Sequence, residues 1–128
     1  MASDPTRAQE HASRPLERLR RRADFAACYD RGKRHYSEHF LVFSLAGVLP
    51  DAKTRLGLSV SRKVGGAVTR NRIKRLLREF FRLHAGTLPQ KTDVVAVVKR
   101  NTGCSGLDFA QVNAEMEPLL RRMARDGT

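Results

Sequence analysis

The sequence predicts a single α+β domain, with helices packed on a small sheet. Three observations predict it. Residues 69–82 (TRNRIKRLLREFFR) carry apolar side chains at helical spacing. Three short segments, 40–45 (FLVFSL), 55–61 (RLGLSVS) and 93–98 (DVVAVV), have the length and composition of strands. Residues 109–123 return to helical spacing with Phe109, Val112, Met116, Leu119, Leu120 and Met123. The 128 residues suffice for one core, burying about two-thirds of the unfolded surface.

Residues 1–15 mix proline, serine, charge and histidine with no apolar period. They are expected to form a disordered N-terminal tail, leaving residues 16–128 as one domain. Arg18, Arg20, Arg21 and Arg22 follow as an extended basic run. Asp24 is positioned to cap a short helix ending at Tyr29 or Asp30, with Phe25, Cys28 and Tyr29 on one side. Gly32 stops it. The strand 40–45 is apolar on both faces, and Gly47, Pro50 and Asp51 mark a loop. In 55–61, Leu56, Leu58 and Val60 point one way and Gly57, Ser59 and Ser61 the other. These two strands are expected to pair antiparallel, and the small-residue face of the second admits something broad.

Residues 62–66 are a basic connection whose two glycines permit close backbone approach. The helix after it should end near residues 84–86, with Gly86 as its C-cap. The continuous apolar run 93–98 marks a strand buried on both faces. A loop at 101–106 leads to the last helix, where Pro118 should cause a kink or a break.

Composition narrows the partners. The net charge is +12, which attracts polyanions and suits an anionic membrane surface equally well. The longest apolar run, 40–49, is far short of the roughly 20 residues that span a bilayer. The N-terminus lacks the apolar stretch of a secretory signal. Cys28 and Cys104 are expected to be reduced thiols, and the compartment the cytoplasm. His35 and His39 are four apart but precede a strand, with no third ligand nearby in sequence. No Cys-x-x-Cys, HExxH or P-loop spacing occurs, and the acids are scattered. No catalytic or metal-holding residue is expected, so a nuclease acting alone does not fit.

The two-faced helix carries the functional reading. At 100° per residue, Arg70, Lys74, Arg78, Arg82 and Arg75 fall in an arc of roughly 140° that includes Asn71. Ile73, Leu76, Leu77, Phe80 and Phe81 fill the opposite arc. Only Glu79 interrupts the cations, so i to i+4 pairing does not explain them. Arginine's planar fork suits bidentate phosphate contacts. Nucleic acid is the polyanion this pattern predicts. A second candidate surface is aromatic: Phe25, Tyr29, Phe40 and Phe43 either belong to the core or line a groove where bases stack.

The segment 55–81, RLGLSVSRKVGGAVTRNRIKRLLREFF, resembles the signature of the protein subunit of bacterial ribonuclease P. Arg70-Asn71-Arg72 matches that family's arginine-asparagine-arginine motif. The flanks RLRRRADFAACYDRG and DVVAVVKR agree with its first helix and last strand. The resemblance spans residues 18–125. It implies a small mixed sheet with three helices and a left-handed βαβ crossover, against the usual right-handed rule. It also implies a part in removing the 5′ leader of precursor tRNA, with catalysis by an RNA subunit and magnesium, and no protein catalytic residue. The implied partners are that RNA and precursor tRNA, with no membrane and no protein partner required.

By this resemblance Arg62, Lys63, Arg70, Asn71, Arg72, Lys74, Arg75 and Arg78 face the catalytic RNA. Phe25, Tyr29, Phe43 and Ser59 hold the leader. Two departures stand out. Gly65-Gly66-Ala67-Val68 lacks the asparagine usual before the motif, and Phe43 replaces a usual tyrosine. The alternative is a structural RNA-binding protein, such as a ribosomal component or RNA chaperone. The basic helix fits both readings; the aromatic groove fits only the first.

Overall fold

The computed structural model describes residues 16–47, 53–89, 91–100, 102 and 106–126. The expected tail and Cys104 lie outside them. The elements run β1 (Glu17–Arg18), α1 (Arg22–Arg31), β2 (Lys33–Tyr36), β3 (Phe40–Ala46), β4 (Arg55–Ser59), α2 (Ala67–Leu83), a 3-10 turn (Ala85–Thr87), β5 (Thr92–Val98) and α3 (Phe109–Asp126). The five strands make one mixed sheet in the order β1-β4-β5-β3-β2.

The expected pairing of β3 with β4 is not made. β5 lies between them, antiparallel to β3 and parallel to β4. Two causes put it there. Its run Val94–Val98 is apolar on both faces and fits only a strand covered on both sides. The 17-residue α2 joining β4 to β5 is also a crossover, which returns the chain parallel.

Side chains alternate across the sheet and split the core in two. Phe40, Val42, Val94, Ala96 and Val98, with Leu56 and Leu58, face α2 and α3 in the larger cluster. Ile73, Leu77, Phe80 and Phe81 of α2 are at most 1% exposed there. Phe43 and Val95, flanked by Leu41, Leu45 and Val97, meet Leu19 and Cys28 on the α1 side. Gly57 faces this side too. A Cβ on it would stand 2.6 Å from Cζ of Phe25, so the space left by the small-residue face of β4 is filled here by Phe25.

Two helix ends differ from expectation. Arg21 occupies the N-cap of α1 with no side-chain cap bond, and Asp24 lies inside the first turn. Its carboxylate is drawn instead to Arg21 Nε at 3.4 Å and Arg55 at 3.3 Å. Gly32 does end α1, where the backbone turns extended at ψ 154°, and glycine is required there because a Cβ would stand 2.5 Å from the Cys28 carbonyl oxygen. α2 ends at a His84 C-cap, and Gly86 sits within the following 3-10 turn. α3 runs unbroken through Pro118. The carbonyl deprived of its partner belongs to Ala114, which is exposed and open to water, while Met116, Leu119, Leu120 and Met123 stay buried.

The β2–β3 turn is latched to α3. Glu115 accepts hydrogen bonds from Ser37 Oγ at 2.8 Å, His39 N–H at 3.0 Å and the His39 ring Nδ1. His39 is therefore engaged, and the carboxylate beside it is already committed to three partners. Burial pushes the Glu115 carboxyl up, but the bonds from His39 and Ser37 more than offset that and hold it below the ordinary range. A carboxyl depressed in the folded state stabilises it above the unfolded value, about 4.3. That contribution fades as pH falls through the folded value. Glu115→Gln is expected to cost about 1–2 kcal/mol at pH 7 and to flatten the loss of stability below about pH 4. Denaturant melts of both proteins from pH 3 to 7 check this; parallel curves would refute it.

Candidate nucleic-acid interface

The basic connection is anchored from below. Val64 is 5% exposed and its N–H bonds Ser61 at 3.1 Å, while Gly65 N–H bonds Arg62 at 3.2 Å. This tight turn leaves Arg62 and Lys63 exposed at the end of β4. α2 starts immediately after, from an N-cap Gly66 with no side-chain cap and no acid in the first turn. The positive end of the helix thus stays uncompensated beside two cations.

The expected cations of α2 divide by their surroundings. Asn71, Arg75 and Arg78 are exposed and Lys74 is half-buried. They line one face, and a depression of 360 Å³ there is bordered by Asn71, Arg75, Arg78, Glu79 and Arg82. Arg82 is engaged, with a bidentate pair to Glu79 at 3.1 and 2.7 Å. Arg70 lies on the border of the two faces. It is half-buried, and its Nε is buried with no partner among the described residues. Arg72 does something else: its guanidinium donates to the Leu107 carbonyl and ties α2 to the segment before α3.

One basic surface was not legible in the sequence. Arg18 and Arg20 come from the first basic run, while Lys74, Arg78 and Arg82 are more than 50 positions away. All five line a single groove of 510 Å³ floored by Leu19, Phe25, Leu56 and Leu58. The parallel pairing of β1 with β4 brings them together.

The aromatic set assembles on the other side of the sheet. Tyr29 meets Phe43 edge-on with centroids 5.2 Å apart, and Phe25 lies 6.4 Å from Tyr29. Their exposure differs. Tyr29 is 38% exposed and Phe43 only 5%, so Phe43 is chiefly floor and Tyr29 the accessible ring. Phe40 belongs to the larger core and leaves the set. Ser59 faces this side beside Val97, one row beyond the Gly57–Val95 pair. The four expected residues therefore share one face.

α1 is held over that face by charge. Arg55 donates to Asp93 at 2.8 and 2.7 Å and to Asp24 of α1 at 3.3 Å. The Asp93 hydrogen bond holds the Arg55 guanidinium above its ordinary value. Cys28 sits beside this group, 4.0 Å from the Asp93 carbonyl oxygen. Burial first, then the Asp93 charge, pushes its thiol up to about 11, so it is a neutral packing group.

Comparison with known proteins agrees with this fold. The family model for ribonuclease P matches residues 14–124. The ribonuclease P protein component of Desulfovibrio desulfuricans is 58% identical over 108 residues, covering 84% of this chain and 83% of that one. The component from Oleidesulfovibrio alaskensis is 46% identical, covering 87% and 94%. Among solved structures, the RNase P protein of Thermotoga maritima superposes with a TM-score of 0.73 at 35% identity, covering 83% of this chain and 96% of that one. The Staphylococcus aureus protein gives 0.73 at 28%, covering 84% and 95%. The chain belongs to the ribonuclease P protein family.

Proposed function

We propose that this chain is the protein component of ribonuclease P. It binds the catalytic RNA subunit through Arg62, Lys63 and the exposed face of α2. It holds the 5′ leader of precursor tRNA against Tyr29, Phe25, Phe43 and Ser59, and acts in the cytoplasm. The observation that carries this reading is the pairing of two surfaces in a member of this family. Cations with no ion pair among the described residues cluster on α2 around Asn71, and Tyr29 of α1 presents an accessible ring against Phe43 on the opposite side of the sheet.

Cleavage of the leader phosphodiester is assigned to the RNA. Magnesium takes hard oxygen ligands, and Asp24 and Asp93 are committed to Arg55 and Glu79 to Arg82, which leaves Glu17 as one carboxylate among the five cations of the groove. The ion is therefore assigned chiefly to RNA phosphates. The protein neutralises phosphate repulsion and adds binding energy on the leader, which lowers the magnesium needed.

Reconstitution tests this. The purified protein alone is expected to leave precursor tRNA intact, and addition of the cognate RNA subunit to give cleavage at low magnesium. Cleavage by the protein without RNA, or no stimulation of the RNA, would overturn the proposal.

A further inference from the structure

The sheet face beneath α1 has a bare margin. The row Tyr36–Leu41–Val97–Ser59 runs across four strands in register, one step beyond the row that holds Phe43. Three spacings of about 4.8 Å make it roughly 14 Å long. Leu41, Val97 and Ser59 are half-buried. Tyr36, on the edge strand β2, is 55% exposed.

The surroundings of Tyr36 are those of a binding surface. Lys99 Nζ lies 5.9 Å from its ring centroid, and Arg34, two residues back on the same face, lies 5.7 Å from the Phe43 centroid. Cations thus alternate with rings along this margin, a pattern that suits the backbone and bases of a single strand. The position is also rigid. Lys99 Nζ donates to the Ser37 carbonyl at 2.6 Å, and Ser37 Oγ is held by Glu115. Tyr36 thus presents an exposed ring at the end of an edge strand whose following turn is pinned.

We propose that Tyr36 is a further base-stacking platform, extending the leader track from Ser59 to the β2 edge, with Arg34 and Lys99 along the strand's phosphates. This rests on the leader lying on this face. Ser59 is next to the basic connection and α2, the surface proposed to dock the catalytic RNA, so Tyr36 serves leader nucleotides at the end of the track farther from that surface.

The test measures affinity of the reconstituted holoenzyme for precursor tRNA with a full leader and with one cut to a few nucleotides. Tyr36→Ala is expected to weaken full-leader binding at least about fivefold and to leave the short-leader substrate unchanged. Tyr36→Phe should restore the affinity. Full-leader affinity unchanged in Tyr36→Ala, while Tyr29→Ala weakens binding, would overturn the extension and leave the cleft standing. Tyr29→Ala without effect on either substrate would remove the cleft itself. Equal losses for both substrates in Tyr36→Ala, with no rescue by phenylalanine, would mark a structural role and also overturn it.

Discussion

Arg55→Met is expected to destabilise the protein by about 3 kcal/mol, near the lower end for breaking a buried ion pair. The Arg55 side chain is 11% exposed, Asp93 4% and Asp24 14%. Methionine fills the volume of the arginine stem but leaves Asp93 without its cation and Asp24 with only the exposed Arg21. The cost comes from those stranded charges rather than from the worth of the pair itself. For a domain of this size the melting midpoint should fall by about 10 °C.

The loss should also be directional. Arg55 is the charged link between β4, β5 and α1, so α1 should loosen first and carry Phe25 and Tyr29 away from the sheet. Leader affinity is then expected to fall while binding of the RNA subunit by α2 holds. Replacing Asp93 by asparagine in the same chain removes one stranded charge and should recover part of the stability. A melt shifted by less than about 2 °C would show that α1 is held by Cys28, Phe25 and Leu19 alone.

How much of this was readable depended on whether the cause was local. α2 was legible because its apolar stripe and its cations are both set by one helix's own spacing. β5 was legible for the same reason: an apolar run on both faces needs no partner to identify it. Its neighbours were not found, although the signal was present. A strand, a long helix and another strand form a crossover, and that alone makes β4 and β5 parallel neighbours.

β2 was missed because KRHY has one inward residue, His35, which is 5% exposed, and otherwise presents the charge typical of an edge strand. Its discovery is what reveals Tyr36. Asp24 looked like a cap because its partner, Arg55, is 31 residues away. Likewise, nothing local to Arg72 points to Leu107.

That last contact decides how the basic face should be tested. Arg72→Ala would lose the bond to the Leu107 carbonyl and mix a change in fold with a change in binding. Arg75 and Arg78 are exposed and have no ion pair among the described residues, so their removal reports on the RNA alone. The double variant Arg75→Ala/Arg78→Ala is expected to keep its melting midpoint within about 2 °C, as surface changes usually do. If each arginine neutralises one phosphate, the slope of log affinity against log salt should fall by about 1.5. That corresponds to about 30-fold weaker RNA-subunit binding at 0.1 M salt, shrinking toward nothing near 1 M. A salt titration of both proteins with the RNA subunit measures the slope and the affinity together. Equal slopes would mean that these arginines are a solvated face and that the RNA does not dock through them.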